Sequence, residues 1–121
     1  MKNILLVDDD EAVLEFMQAR LGAKYALVTT NNAENVLALA REQQPDLIVC
    51  DVDMPDMDGG DVSAALYDDD ETRDIPVLFL TGLVTSADMK QKKGQIGGRP
   101  AIAKNAPVAE LVARIEGLIG K

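Results

Sequence analysis

Five short runs of apolar residues recur along the chain, and more polar segments separate them. The runs are Ile4–Val7, Ala26–Val28, Leu47–Cys50, Val77–Leu80 and Ala101–Ala103. The first, third and fourth runs have the pattern of fully buried strands instead of alternating with polar residues, which is typical of strands covered on both faces. The pattern therefore predicts five strands, three of which are fully buried.

Apolar residues at helical spacing occupy most of the segments between the runs. Four stripes have this spacing: Val13, Leu14, Met17 and Leu21; Ala33, Val36, Leu37 and Ala40; Val62, Ala65 and Leu66; and Val108, Leu111, Val112, Ile115, Leu118 and Ile119. Asn31 and Glu34 are spaced as an N-cap pair for the second helix, and Pro107 suits the first position of the last one. Apolar residues are sparse between Thr85 and Gly98, so a helix there would be short and weakly anchored.

Alternation of strands and helices predicts an α/β fold. The expected architecture is a doubly wound five-stranded parallel sheet with right-handed crossovers and helices on both faces. The common strand order for such an open sheet is 2-1-3-4-5, and ligands bind outside the carboxyl ends of strands 1 and 3, where the topology changes direction. A length of 121 residues suits one domain with a substantial core.

The composition excludes several classes of function. A net charge of −9 repels nucleic-acid phosphates and anionic membrane surfaces, so neither is expected as a partner of this domain. The chain contains no histidine, which removes the Ser-His-Asp triad and histidine-ligated metals. Any chemistry therefore depends on carboxylates, hydroxyls and amines.

The single cysteine and the short apolar runs indicate where the protein resides. Cys50 lies inside an apolar run without a cationic neighbour in sequence, as expected of a core residue rather than a reactive thiol. No apolar stretch approaches the length of a membrane span, and Asp8 interrupts the first run too early for a signal peptide. We therefore expect a cytoplasmic location.

Acidic residues follow two strands that the predicted topology makes neighbours. Asp8 and Asp9 come directly after strand 1, and Asp51 comes directly after strand 3. Carboxylates about 5 Å apart repel by about 3 kcal/mol per pair at an effective dielectric constant near 20, so the cluster would raise a pKa or recruit a cation. Capping of the following helix explains Asp10 and Glu11, but it does not explain acids that converge from two distant strands.

Two further strand ends carry complementary groups. Thr81 closes the fourth run with a hydroxyl, and Lys104 closes the fifth with an ammonium. Either residue alone is more often a turn residue or a solvated charge than a functional group. Together with the acids they would surround one pocket, and oxygen ligands of this kind suit a hard ion such as Mg²⁺.

Four stretches of the sequence together resemble the receiver domain of two-component response regulators, including those of chemotaxis. They are ILLVDDD at 4–10, LIVCDVDMPDMDG at 47–59, VLFLTG at 77–82 and AIAK at 101–104. Their order and spacing match that family from end to end of the chain, and the Met54–Gly59 stretch is the most specific. The resemblance implies a flavodoxin-like fold and a single receiver domain over residues 1–121.

The resemblance also implies a phosphoacceptor site with a metal ion. Asp51 would accept a phosphoryl group from a phosphohistidine on a sensor histidine kinase or a histidine phosphotransfer protein. Asp9 and Asp51 would ligate Mg²⁺, with Mn²⁺ as the alternative ion, through side-chain oxygens. The backbone carbonyl of Asp53 would complete the protein ligands, and Asp8 would hold a metal-bound water.

Two residues in the resemblance serve the phosphoryl group itself. Lys104 would pair with one phosphoryl oxygen, and the hydroxyl of Thr81 would donate a hydrogen bond to another. A chain without histidine cannot be the phosphohistidine donor of such a pair. The implied role is that of a signalling domain that takes part in its own phosphoryl transfer and hydrolysis, not that of an enzyme, with an output partner or effector domain that the sequence does not name.

Three departures from the family pattern bear on how the domain signals. Asn105 follows Lys104 where proline is usual, and because a cis peptide without proline costs about 3 kcal/mol, a trans bond is expected there. Ala101 stands where an aromatic switch residue is common, so no aromatic side chain at that position can report a movement of Thr81. The sparse 85–98 segment lies on the face through which relatives usually engage partners.

Two other functions are compatible with the residues. A phosphorylation-independent interaction module that keeps the pocket as a scaffold would fit the missing aromatic and the weak helix. A small aspartate-nucleophile phosphatase is the second alternative, because Asp51 and Asp53 have the spacing of nucleophile and general acid/base in haloacid-dehalogenase-type enzymes. The short chain opposes it. A calcium loop does not fit, because Pro55 would fall at a ligand position.

Overall fold

Strands and helices alternate along the chain in the computed structural model, which describes residues 2–51, 59–81, 95–96, 99–104 and 106–119. The strands are β1 (Lys2–Val7), β2 (Tyr25–Thr30), β3 (Leu47–Asp51), β4 (Val77–Thr81), β5 (Gln95–Ile96) and β6 (Arg99–Ala103). The helices are α1 (Glu11–Leu21), α2 (Val36–Gln43), α3 (Gly59–Tyr67) and α4 (Val108–Ile119). None of these helices is both long enough and apolar enough to cross a membrane.

One sheet contains all the strands of the described residues, in the order β2-β1-β3-β4-β6-β5. The first five in this order pair in parallel, which confirms the predicted order of five parallel strands. The two-residue strand β5 was not predicted, and it pairs antiparallel to β6 through Ile96 and Arg99. Part of the 85–98 segment is therefore strand instead of weak helix, while residues 82–94 and 97–98 lie outside the described residues.

Apolar side chains fill both faces of the sheet, as the unbroken apolar runs predict. On one face the strands pack against α2 and α3, through Leu5, Val7, Ile48, Cys50, Val77, Phe79, Ala101 and Ala103 with Val36, Ala40, Val62 and Leu66. On the other face they pack against α1 and α4, through Ile4, Leu6, Leu47, Val49, Leu78, Leu80 and Ile102 with Leu14, Met17, Leu21, Leu111 and Ile115. Every residue of β3 and β4 is buried, because these central strands have helices on both sides.

The entry to α2 differs from the predicted capping. A 3₁₀ turn at Ala33–Asn35 precedes the helix, and the side chain of Asn32, not Asn31, accepts the N–H of Glu34 at 2.9 Å. The hydroxyl of Thr30 also accepts the N–H of Asn32 at 3.2 Å. These local bonds compete with a simple helical start, so the N-cap prediction for Asn31 was wrong. At the last helix the prediction is off by one residue, since α4 begins at Val108 instead of Pro107.

Gly117 in α4 offers a test of helix energetics that leaves the site untouched. A methyl group at this position would meet no atom within 4 Å. We expect Gly117→Ala to raise the free energy of unfolding by about 0.5–1 kcal/mol in urea denaturation, because alanine loses less backbone entropy in a helix. Gly22→Ala is the matched control: its added carbon would lie 2.6 Å from the carbonyl oxygen of Gln18, so that variant should be destabilised. Equal effects of the two substitutions would contradict this account.

Candidate functional site

Two neighbouring strands deliver buried carboxylates to one edge of the sheet. Asp51 is the last residue of β3, and Asp8 directly follows β1. Since Val7 pairs with Cys50 in the parallel register, the next position of each strand places Asp8 beside Asp51. Both are buried, whereas Asp9 is exposed, and an oxygen of each of the three lies within 4.8 Å of the others. The acids of strands 1 and 3 therefore meet as the topology predicts.

Hydrogen bonds donated by backbone N–H groups hold the turn between β1 and α1. The N–H of Asp8 donates to the carbonyl of Thr30 at 3.2 Å, which extends the β1–β2 ladder by one residue. The Asp8 Oδ1 atom accepts the N–H of Asp10 at 2.9 Å, and Asp10 in turn caps α1 by accepting the N–H of Ala12 at 2.9 Å. Asp10 therefore caps the helix, whereas Asp8 and Asp9 of the same turn belong to the acid cluster.

The ammonium of Lys104 lies between the two buried carboxylates. Its Nζ atom is 3.1 Å from Asp8 Oδ2 and 3.2 Å from Asp51 Oδ2, and the side chain is 25% exposed. Residue 104 reaches this place because Ala103 pairs with Thr81 across β6 and β4, and because the N–H of Lys104 donates to the carbonyl of Thr81 at 2.8 Å. One positive charge is therefore shared by two acids.

The pKa values of the charged groups reflect this sharing. Burial lowers the pKa of Lys104, but its contacts with Asp8 and Asp51 outweigh that effect and raise the pKa above its ordinary value. Burial raises the pKa of Asp8, and the charge of Asp51 adds to the increase, while the Asp10 N–H and the Lys104 ammonium oppose it. Lys104 therefore stays charged, and the ionised form of Asp8 is disfavoured relative to a solvated carboxylate.

One buried oxygen of Asp8 has the Lys104 ammonium as its charged partner but, within the described part of the chain, no hydrogen bond of ordinary geometry. Among the described residues no group donates to Asp8 Oδ2 in ordinary hydrogen-bond geometry, although the atom is buried, and its polar contact is the ammonium of Lys104. A buried carboxylate oxygen without a donor is costly unless a cation or a water approaches it. The donor set of three carboxylates, all oxygen, is the kind that Mg²⁺ prefers.

The remaining residues named from the sequence fall into two groups. Thr81 is the buried last residue of β4, and it stands one position beyond Leu80, the partner of Asp51 in the sheet. Ala101 is buried in the core, where it pairs with Phe79. Two other parts of the chain lie outside the described residues: residues 52–58, which include Asp53 and Pro55, and Asn105, for which a trans peptide is expected.

The structure adds two contacts that the sequence analysis missed. The first is the simultaneous pairing of Lys104 with Asp8 and Asp51, since the sequence places the lysine at the rim but does not show which acids it reaches. The second is a hydrogen bond from the side chain of Asn31 to Glu11 at 2.6 Å, which joins the end of β2 to α1. A polar residue directly after a strand was the available signal for Asn31.

Cys50 is the residue that precedes the candidate phosphoacceptor, and it belongs to the core. The side chain is fully buried, and its Sγ atom lies 3.3 Å from the carbonyl oxygen of Asp51. Burial, followed by the negative charges of Asp51 and Asp8, raises the pKa of the thiol from 9.0 to about 12. The thiol is therefore neutral at physiological pH, in agreement with its assignment as a core residue.

Alkylation of Cys50 should consequently report unfolding. At about pH 8 we expect iodoacetamide to react at least about a hundredfold more slowly with the folded protein than with the urea-unfolded chain, because burial raises the pKa of the thiol and also blocks access of the reagent. Above pH 9 the thiol of the unfolded chain ionises while the thiol of the folded protein stays neutral. Cys50 therefore lowers the free energy of unfolding as the pH rises toward 12. A mass-spectrometric time course measures both rates, and equal rates would contradict the burial of the thiol.

Comparisons with known proteins agree with this arrangement. The family described as response regulator receiver domain matches residues 4–116. The polar-differentiation response regulator DivK of Brucella anthropi is 32% identical over 120 residues, which cover 98% of this chain and 97% of DivK. The chemotaxis protein CheY4 of Vibrio cholerae superposes with a TM-score of 0.81 at 27% identity and 98% coverage of both chains.

A third relative was solved with a metal ion. The receiver domain of the sensor histidine kinase PA1611 from Pseudomonas aeruginosa has magnesium coordinated in its active-site cleft. It superposes on this chain with a TM-score of 0.83 at 23% identity, covering 99% of this chain and 98% of the other. At that identity the similarity concerns the fold.

Proposed function

The chain belongs to the response-regulator receiver domain family, the phosphoacceptor module of two-component signalling, and we propose that Asp51 is the residue that receives the phosphoryl group. The observation that carries this proposal is the position of Asp51 Oδ2, 3.2 Å from the Lys104 ammonium and within the cluster formed with Asp8 and Asp9. A nucleophilic carboxylate needs nearby positive charge when an anionic phosphoryl group approaches, and this site supplies it.

The proposed reaction is transfer from a phosphohistidine on a sensor histidine kinase or a histidine phosphotransfer protein. A carboxylate oxygen of Asp51 attacks the phosphorus, an O–P bond forms, and the P–N bond of the donor breaks. The electron pair of that bond stays on the donor imidazole, which takes up a proton, and Asp51 becomes an acyl phosphate. The chain contains no histidine, so it serves as the acceptor in this exchange.

Lys104 and Thr81 would stabilise the phosphoryl group. The lysine ammonium already contacts the Oδ2 atom of Asp51, so a phosphoryl group on that carboxylate would lie within its reach. Its charge offsets the negative charge that gathers on the phosphoryl oxygens during transfer. The hydroxyl of Thr81, at the end of the adjacent strand β4, would donate a hydrogen bond to another phosphoryl oxygen.

We further propose that Mg²⁺ occupies the acid cluster, and Mn²⁺ would suit the same oxygens. Support comes from the three convergent carboxylates, which share the single ammonium of Lys104, and from the magnesium in the PA1611 receiver domain. Asp9 and Asp51 would be direct ligands, Asp8 would hold a bound water, and the carbonyl of Asp53 would be a further ligand. The ion supplies positive charge that screens the acids from one another and from the phosphoryl group.

This function makes the protein a signalling domain rather than a turnover enzyme. It would act in the cytoplasm and assist only its own phosphorylation and dephosphorylation. The buried acid cluster with its shared lysine favours this function over a phosphorylation-independent scaffold, because a scaffold gains nothing from the cost of burying two carboxylates. The phosphatase alternative requires a catalytic side chain at Asp53, so small phosphate esters should be turned over and Asp53→Asn should abolish that turnover.

Incubation with acetyl phosphate and Mg²⁺, followed by intact mass measurement, tests the proposal. The wild-type chain should gain the mass of one phosphoryl group, and Asp51→Asn should gain none. Asp74→Asn is the matched control, because Asp74 is an exposed acid just before β4, at the opposite edge of the sheet, and it should be phosphorylated like the wild type. Equal labelling of Asp51→Asn would refute the assignment of Asp51, and an unlabelled wild type would favour the scaffold.

A further inference from the structure

A side-chain hydrogen bond joins the end of β2 to the first turn of α1, next to the acid cluster. The Nδ2 atom of Asn31 donates to the Oε1 atom of Glu11 at 2.6 Å. Asn31 is the first residue after β2, and Glu11 is the first residue of α1. Neither residue belongs to the site described above, but both flank the turn that contains Asp8 and Asp9.

The β2 end is well placed to act as an anchor. Val7 pairs with Thr30 in the parallel register, and the N–H of Asp8 continues the ladder by donating to the Thr30 carbonyl at 3.2 Å. Beyond Thr30 the chain turns tightly, because the Thr30 hydroxyl accepts the N–H of Asn32 at 3.2 Å. Asn31 therefore projects from a segment whose backbone is fixed on both sides.

Asp9 is the acid of the cluster that is held least. Asp8 is fixed by the N–H of Asp10 and by its backbone bond to Thr30, and Lys104 pairs with both Asp8 and Asp51. Among the residues that the structure describes, none donates a hydrogen bond to the exposed carboxylate of Asp9. Its position depends on the backbone of the turn between Asp8 and Glu11. Asp10 caps α1 within this turn, and the Asn31–Glu11 bond adds a link from the turn to the end of β2.

We infer that Asn31 is a positioning residue of the magnesium site, which acts by fixing Glu11 and thereby the turn that carries Asp9. This inference rests on the proposed binding of Mg²⁺ at the cluster. Mg²⁺ demands nearly ideal octahedral geometry, so an exposed ligand on an unfixed turn would bind it weakly. Groups that hold ligands in place without touching the metal commonly alter metal affinity when they are replaced.

Calorimetric titration with Mg²⁺ tests the role of Asn31. Loss of one hydrogen bond to an exposed carboxylate should raise the magnesium dissociation constant of Asn31→Ala about threefold to tenfold. Asn3→Ala is the matched control, since Asn3 is an exposed asparagine at the opposite end of the neighbouring strand β1, and it should bind like the wild type. In buffer with a chelator, the free energies of unfolding of both variants, measured with urea, should lie within about 0.5 kcal/mol of that of the wild type. A loss of magnesium affinity without a loss of stability would then show that Asn31 positions the site.

Variants of Glu11 distinguish the hydrogen bond from simple charge. Glu11→Gln keeps an oxygen acceptor and removes the charge, whereas Glu11→Ala removes both. We expect Glu11→Ala to weaken Mg²⁺ binding more than Glu11→Gln does, and the double variant Asn31→Ala/Glu11→Ala to bind no more weakly than Glu11→Ala alone. Equal weakening by the two Glu11 variants would overturn the inference, because long-range charge would then account for the whole effect.

The magnesium affinity and the phosphorylation of the wild-type protein show whether the role of Asn31 or the proposed function has failed. If the wild type binds Mg²⁺ and is phosphorylated on Asp51 but Asn31→Ala binds the ion equally well, Asn31 has no positioning role and the proposed function stands. If the wild type shows no affinity for Mg²⁺, the metal site itself is refuted and the inference falls with it.

Discussion

Replacing Lys104 by Met is expected to lower the free energy of unfolding by about 2–4 kcal/mol at neutral pH in metal-free buffer. The physical reason is that the Lys104 ammonium is the positive charge shared by Asp8 and Asp51, at 3.1 and 3.2 Å. Without it, two buried carboxylates face each other and one of them must take up a proton. Removal of one partner of a fully buried pair costs about 3–5 kcal/mol, and the 25% exposure of Lys104 reduces that cost.

Urea denaturation with and without Mg²⁺ measures this effect. Lys24→Met is the matched control, because the ammonium of Lys24 lies on the surface, 3.8 Å from Glu116, and its removal should cost less than about 1 kcal/mol. Saturating Mg²⁺ should recover part of the stability of Lys104→Met, since a bound cation supplies positive charge to the same acids. If Lys104→Met and Lys24→Met were equally stable, Lys104 would not balance the buried acids.

Asp8→Asn is expected to act in the opposite direction and to raise the free energy of unfolding by about 1–2 kcal/mol at neutral pH without metal. Asp8 is repelled by Asp51 and Asp9, is attracted by Lys104 and is buried, so its ionised form is a net cost to the fold. An amide of the same shape removes the charge and keeps the oxygen that accepts the Asp10 N–H. The variant should also gain less stability from Mg²⁺ than the wild type does.

The pH dependence of this difference has a definite sign. Burial raises the pKa of Asp8 above the ordinary value of 3.8, so the folded protein binds this proton more tightly than the unfolded chain does. The advantage of Asp8→Asn should therefore be complete above the raised pKa and should disappear as the pH falls to 3.8 and below, where the carboxyl group is protonated in both states. Parallel urea titrations of the variant, the wild type and Asp74→Asn over this range measure it. An advantage that grows toward acidic pH would show that the ionised form of Asp8 stabilises the fold.

The sequence alone predicts the strands of the sheet and the edge of the sheet at which the acids meet. The apolar runs at Ile4–Val7, Leu47–Cys50 and Val77–Leu80 contain no polar position and are too short for helices, so they favour strands covered on both faces. Once the sheet is parallel, the carboxyl ends of β1 and β3 must share an edge, and Asp8 and Asp51 meet there. Local pattern and general topology were sufficient for this step, because neither depends on the detailed path of the loops.

Side-chain partners were decided by the tertiary structure. The acids Asp8, Asp9 and Asp10 are chemically identical and adjacent, yet Asp8 is a buried member of the cluster, Asp9 is an exposed member of it, and Asp10 is exposed and caps α1. The difference arises because the chain reverses direction after β1, so neighbouring residues point into different surroundings. A sequence pattern with period two or 3.6 does not describe such a turn.

Long-range pairing sets the remaining features. Strand β5 forms because Gln95 and Ile96 pair antiparallel with Pro100 and Arg99 of β6, in a segment whose sparse apolar residues predicted only a weak helix. Asn31 was assigned to a helix cap, but Glu11 competes for its side chain from α1, twenty residues away in sequence. By itself the sequence determined the order of the layers and the edge at which the acids gather, because burial of apolar surface dominates those choices. Which carboxylate pairs with Lys104, and which turn is held by Asn31, depends on distances of a few ångströms between residues far apart in the chain, and only the folded backbone sets those distances.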